Sequence, residues 1–366
     1  MSPIQQNDGT GVGIDPIERV FQAISLTRAG RHEESRRIYD EYHCSSRFGV
    51  DVDLSIMLML LDGLRIFYEQ HDTQAAVKRI ESARAIAQAS VGCKVIDHVA
   101  VWLAHCQFNI GQYSEMKSSI ELALAKDGLA KDRTSLRLFL TIGDGHCLVG
   151  DFDGAREMYE RARRIANKIG DALSIAAIVH NRSTMALSHA RFFAATGEAL
   201  SNDYQTFLLE LESAENLENH LRVTTVLEPY DVWKPLMRMV RDDFEPAESS
   251  LKLLLQDTSW SMTEPMRLSL SADLAYANFR LGNNSAALEI VREVISNDFD
   301  KILRAEDRAI VYSYAAQIYS AAGILEQAMV FKEMMIEAKD EFVAETKELQ
   351  AILSDIRVAL ARRSVN

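Results

Sequence analysis

The chain has 366 residues, 48% hydrophobic, 25% charged and 8% aromatic, a globular composition that excludes collagen-like, low-complexity and disordered classes. Forty Lys and Arg against 53 Asp and Glu give a formal charge of −13, a negative field that repels phosphate backbones and anionic bilayers, so neither nucleic acid nor membrane is an expected partner. Only 17 Gly and 6 Pro leave too few turn formers for an all-β fold, and the supply of Ala, Leu, Glu, Arg and Met favours helix.

Residues 1–14 are expected to be a disordered tail. They contain GTGVG, but no G-K-[ST] follows and no strand precedes it, so no phosphate-binding loop is implied. The start has neither the basic residues nor the apolar core of a signal peptide, and the most apolar run, Leu54 to Leu61, ends at Asp62; a cytoplasmic protein is expected. Asp15-Pro16 reads as an N-cap followed by proline at the first helical position. Cys44, Cys93, Cys106 and Cys147 include no C-x-x-C pair, so the reading is reduced thiols rather than a disulfide framework or zinc knuckle.

A repeat then emerges. In LRLFLTIGDGHCLVGDFDGAREMYERARRIA a turn at Gly150-Asp151 separates two helical patterns, with Gly143 before the turn and Phe152, Ala155, Tyr159 and Ala162 after it. Two helices approach closely only where one offers a small residue, here Gly143 and Ala155, and Tyr159 fills the next gap. Glycine accepts the positive φ of a helix C-terminus, and aspartate caps the helix that follows. The same frame recurs around Gly30 (Ala23, Ser35, Tyr39), His71 (Ala76, Ile80, Ala83) and Gly111 (Ala104, Tyr113, Ile120, Ala123). It returns around Asp242 (Phe244, Ala247, Leu251, Leu254), Gly282 (Ala275, Ala287, Val291, Val294) and Gly323 (Ala316, Leu325, Ala328, Met335). The spacing is about 40 residues except between Gly150 and Asp242, where an irregular unit at about 172–218 is expected, with its turn at Thr196-Gly197 or Ser201-Asn202.

This pattern resembles the tetratricopeptide repeat (TPR) in its long-helix, MalT-like variety. The resemblance implies an all-α, right-handed superhelical solenoid of about eight antiparallel helix pairs over residues 15–340, followed by a C-terminal helix over 341–366. It also implies function on a concave face built mainly by the first helix of each pair. Counting back from the turns, that stripe mixes Arg65, Tyr68, His105, Phe108, Asn109 and Asp144 with Tyr276, Phe279 and Arg280, and the irregular unit adds His180 and Asn181. Aromatic rings supply contact area and Arg, Asn and His bind backbone or carboxylate, a mixture suited to a protein or peptide ligand. The Lys and Asn clamp with which some TPR modules hold chaperone C-termini is not matched, since the corresponding positions are Ile24, Arg65 and His105; Arg65, Arg137 or Arg280 remain as candidates to hold another acidic group.

From Asp340 to Arg363 no Gly or Pro occurs, Phe342, Leu349 and Ile356 are spaced by seven, and Thr346, Leu353 and Leu360 share the seam. Two readings follow: a helix capping the last hairpin, or a coiled coil making a homodimer through residues 341–363. The tail ELQAILSDIRVALARRSVN resembles the connector helix of bacterial TPR proteins that carry a GGDEF diguanylate cyclase domain, which implies an input-module origin; no GGDEF-type motif is present. No hydrolase, zincin, deaminase, Walker or dinucleotide motif is found. The His-Cys dipeptides at 43–44, 105–106 and 146–147 cannot each clamp a metal, because adjacent helical residues diverge by about 100°. The expectation is a noncatalytic module without cofactor or metal, serving as the sensory or scaffolding part of a bacterial signalling system. The alternatives are the input region of a cyclase-type protein lacking its catalytic domain, or an α-helical enzyme or small-molecule receptor with a pocket near His180, Arg182, Trp233 and Arg238.

Overall fold

The structure is a computed structural model that describes residues 15–45, 51–125, 131–198, 209–211, 213, 216, 230–257 and 262–364. Every element among the described residues is helical: α1 Pro16–Arg28, α2 His32–Ser45, α3 Val52–Gln70, α4 Thr73–Ala89, α5 Ile96–Asn109, α6 Tyr113–Ala125, α7 Asp132–Leu148, α8 Phe152–Ile169 and α9 Ala172–Thr196. Beyond them come α10 Tyr230–Val240, α11 Phe244–Gln256, α12 Glu264–Arg280, α13 Asn284–Ser296, α14 Phe299–Ile302, α15 Ala305–Ala321 and α16 Leu325–Ser364. None of these is long and apolar enough to cross a membrane. The chain divides into two compact units, Met1–Val99 and Ala100–Asn366. The expected tail at 1–14 lies outside the described residues, as does most of the second helix expected near 203–218.

The turns follow the repeat frame. Gly30, Gly111, Gly150, Gly282 and Gly323 all have positive φ, and so do His71 and Asp242, the two turn positions where the repeat lacks glycine. The closing hydrogen bonds recur as a pair: at Gly150 the Gly150 N–H donates to the Cys147 carbonyl and the Asp151 N–H to that of His146, and the same two bonds form around Gly30, Gly111, Asp242, Gly282 and Gly323. This is the left-handed C-terminal closure that satisfies otherwise orphaned carbonyls. The residue after the turn then caps: Asp151 Oδ1 accepts from Gly154 N at 2.9 Å, and Asp72 Oδ1 from Ala75 N at 2.9 Å. Asp15 accepts from Ile17 N ahead of Pro16, as its sequence predicts. In the irregular unit α9 runs 25 residues to Thr196 and ends at Gly197 with φ 79°, so a helix closes at the first of the two expected turn positions; Ser201-Asn202 lies outside the described residues.

The small residues of the frame form the crossing points. Ala23, Ala76, Ala104, Ala155, Ala247, Ala275 and Ala287 are buried. Tyr159 lies so close to Gly143 that a Cβ there would stand 2.7 Å from its ring. In the first unit α1 pairs with α2, α3 with α4, and α3 packs on α1. In the second, successive helices pack from α7 through α13, α15 stacks on α12 and α13, and α15 pairs with α16.

The end of the array departs from expectation. The last hairpin helix and the C-terminal helix are one continuous 40-residue helix, α16. Its first half pairs with α15 and its second half lies on α6 and α7. Phe342, Leu349, Ile352, Leu353, Ile356 and Leu360 are buried there, with Leu353 facing Gly145 and Phe342 against Phe192 at a 4.9 Å centroid distance. Lys117 to Asp355 at 2.6 Å and Arg357 to Glu157 at 3.4 Å edge the contact. The apolar part of the heptad seam is therefore packed inside its own chain, against α6, α7 and α9.

Candidate functional site

The return of α16 changes the character of the first helices it covers. From Thr134 to Leu148, α7 is buried on every side, so polar side chains on it need partners within the chain. Asp144, expected in a groove, is 1% exposed; its Oδ1 accepts from the Tyr159 hydroxyl at 2.7 Å and from Asn181 Nδ2 at 3.0 Å. Burial pushes its carboxyl above the ordinary range while those two donors pull it back, and burial with Asp144 alongside drives the Tyr159 phenol well up. This trio locks α7, α8 and α9 together rather than facing a ligand. His146 bonds Asp151 Oδ2 at 2.9 Å, His189 Nε2 bonds the Leu148 carbonyl at 2.8 Å, and the Arg137 guanidinium lies 3.7 Å from the Trp102 ring centroid.

The remaining expected groove residues divide. His105 and Phe108 are buried, His105 edge-on to Trp102, and Asn109 is exposed with its amide on the His105 carbonyl. In the first unit Arg65 donates to Glu69 at 2.9 Å, and Tyr68 packs edge-on to Phe67. Burial lowers His180 to about 4. The Cys106 and Cys147 thiols are pushed up to about 12 by burial, so both His-Cys pairs of this unit belong to the core. Of the residues named for the receptor alternative, Arg182 pairs with Glu210 at 2.6 Å, and Arg238 bonds Ser250 at the edge of a shallow depression of about 310 Å³ on α10 and α11.

Tyr276, Phe279 and Arg280 do come together, on α12. Tyr276 and Arg280 line a cavity of about 230 Å³ with Ala194 and Ala195 of α9, Met239 and Val240 of α10, Asp242, Phe244 and Tyr314. Tyr276 stacks on Tyr314 at 4.0 Å with the rings 9° from parallel, and Phe244 meets Tyr276 edge-on. Arg280 lies 4.3 Å from the Phe244 ring centroid, donates from Nη1 to the Tyr276 hydroxyl at 3.2 Å, and approaches Asp242 at 3.2 Å. Stacking on one ring and bonding to another fix the guanidinium plane, yet its side chain stays 39% exposed.

Arg191 of α9 also lines the cavity and is anchored there. It donates to both oxygens of Asp273, at 3.0 and 2.7 Å, to Asp307 at 3.2 Å and to Ser269 at 2.9 Å. Burial disfavours its charge, but Asp273, Tyr314 and Asp307 outweigh that and hold it above its ordinary range; burial lifts Asp273 to about 6 against the pull of Arg191. Breaking such a pair by removing one partner costs about 3–5 kcal/mol. Arg191 is therefore the rigid floor of the site, tying α9 to α12 and α15, and Arg280 is its accessible cation. Of the contributors, Phe244 was marked in the sequence as a packing position and Arg191 was not marked at all. It lies in the irregular unit, whose helix has no repeat frame from which to count.

No protein-family model matches the chain, and no curated protein matches it. Among solved structures the chain is similar to NprR in complex with its cognate peptide NprX, at 11% identity over 96% of this chain and 89% of that one, with a TM-score of 0.48. It is also similar to a tetratricopeptide repeat protein from Parabacteroides merdae ATCC 43184, at 14% identity over 83% of this chain and 99% of that one, with a TM-score of 0.44.

Proposed function

We propose that the chain is a noncatalytic binding module that takes a protein or peptide segment where α9, α10, α12 and α15 meet. One observation carries this reading: Tyr276 and Arg280, expected from the repeat frame to face a ligand, converge with Phe244 and Tyr314 on an open cavity, with the arginine oriented and still exposed. Rigid aromatic walls offer contact area at small entropic cost, and a stacked guanidinium offers directed donors to a ligand's carboxylate or backbone carbonyl. The wider setting we infer, from the likeness of residues 348–366 to signalling connectors, is a sensory or scaffolding role in the bacterial cytoplasm.

The experiment is selection of a displayed peptide library on the full-length chain, followed by affinity measurement for the enriched sequences. Binding is expected to weaken at least tenfold in Arg280→Gln and in Tyr276→Leu, and to be unchanged in Arg292→Gln on the exposed side of α13. Absence of enrichment, or affinities equal in all three variants, would refute it.

A further inference from the structure

The cavity is too small for an extended peptide. Its volume, about 230 Å³, lies below the roughly 300–1,000 Å³ of pockets that enclose drug-sized ligands and equals about seven or eight water volumes. It holds one side chain or one small molecule. Its chemistry is uneven: Phe244, Tyr276 and Tyr314 with Met239, Val240 and Ala195 make apolar walls, and Arg280, Asp242 and Arg191 supply the charged part of the lining.

Charge chooses the polar end of the occupant. Arg191 carries a positive charge, but Asp273 and Asp307 hold it, and four of its hydrogen bonds are to those groups and Ser269. Arg280 has five N–H donors, of which Tyr276 and Asp242 take one each. Asp242 is 74% exposed, so its hold on Arg280 is a weakly held surface pair that a better-placed carboxylate replaces. The stacked guanidinium is thus preset for an anion with its plane already fixed.

We propose that this cavity binds a carboxylate carried on a single apolar or aromatic group, the ring or alkyl part among Tyr276, Tyr314 and Met239 and the carboxylate on Arg280. The same chemistry occurs in a free small organic acid and at the end of a peptide with an apolar last residue. The proposal rests on the reading of this face as a binding face.

The test titrates the full-length chain by ligand-observed NMR with 3-phenylpropionate, 3-phenylpropionamide, 3-phenylpropylamine, and the tripeptide Gly-Gly-Phe as acid and as amide. The acids are expected to bind in the millimolar range or tighter, with amides weaker by about tenfold and the amine weaker still. Arg280→Gln should remove the difference between acid and amide. Ala194→Trp, on an exposed wall residue that leaves the core alone, should abolish binding of both with the melting temperature unchanged. Tighter binding of 3-phenylpropionate identifies a free acid, tighter binding of the tripeptide acid identifies a peptide end, and either supports the assignment. An amide or amine that binds as well as the acids overturns it, as does acid binding that survives both variants or no acid binding at all. In each of those cases a library-selected peptide that still depends on Tyr276 leaves the binding-module reading standing.

Discussion

Gly143→Ala decides whether the hairpin crossing is as close as the packing indicates, because two opposite signs are in play. In an unconstrained helix, alanine for glycine stabilises by about 0.8–1 kcal/mol. At residue 143 the new Cβ would stand 2.7 and 2.8 Å from Cε1 and Cδ1 of Tyr159. That ring cannot swing away: it is 1% exposed, and its hydroxyl is tied to Asp144 at 2.7 Å. Overpacking a filled core costs about 1–3 kcal/mol, so the expected net runs from no gain to a loss of about 2 kcal/mol. Urea unfolding followed by far-UV circular dichroism measures it, and Tyr159→Leu provides the control. The leucine variant alone loses stability through its cavity, and in its background Gly143→Ala should become neutral or stabilising, a coupling visible in a double-mutant cycle. If Gly143→Ala stabilises the natural chain by about 1 kcal/mol, the close crossing and the repeat frame built on it are wrong.

Three further outcomes follow from the same structure. His71→Gly should gain about 0.5–1 kcal/mol in the same assay, because a β-carbon at φ 56° carries strain that glycine does not; a loss would show that the side chain holds the turn. His180 titrates near 4 when folded and near 6.5 when unfolded, so the unfolded chain takes the proton first. Its contribution is complete above about pH 6.5 and is lost as pH falls toward 4, by up to about 3 kcal/mol; His180→Gln should flatten that part of the stability profile, and an imidazole NMR titration centred near 6.5 would contradict it. Leu353→Ala removes a side chain that is 2% exposed between α16 and α7 and should cost about 2–5 kcal/mol, with light scattering giving the same monomer-to-oligomer ratio as the natural chain. A large change in that ratio with stability intact would return the seam to an intermolecular role.

The fold was legible because each hairpin depends on its own short stretch of chain. The turn at Asp242 was found without a glycine because Phe244, Ala247 and Leu251 kept their distances from it, and all three are buried where those distances put them. A repeat encodes contacts between neighbours in sequence, and the frame repeats because those contacts do.

Contacts between distant elements have no such signature, and that is where positions equivalent in the frame part company. Six positions before a turn, Asp144 and Tyr276 are equivalent in the frame, yet one is sealed among Tyr159 and Asn181 and the other lines a cavity. Asp144 meets Tyr159 of α8 and Asn181 of α9, whereas Tyr276 meets Phe244 and Tyr314 beside an open space; α16, which crosses back more than 180 residues, adds cover to α7 at Gly145. A heptad of Phe342, Leu349 and Ile356 reads the same whether its partner is another molecule or an earlier part of the same chain, because both bury the same apolar stripe. Arg191 carries the point furthest. Alone in the sequence it is one of many arginines on an irregular helix, and only the approach of Asp273 from α12 and Asp307 from α15 makes it the buried support that holds Tyr276 and Tyr314 in register beneath Arg280.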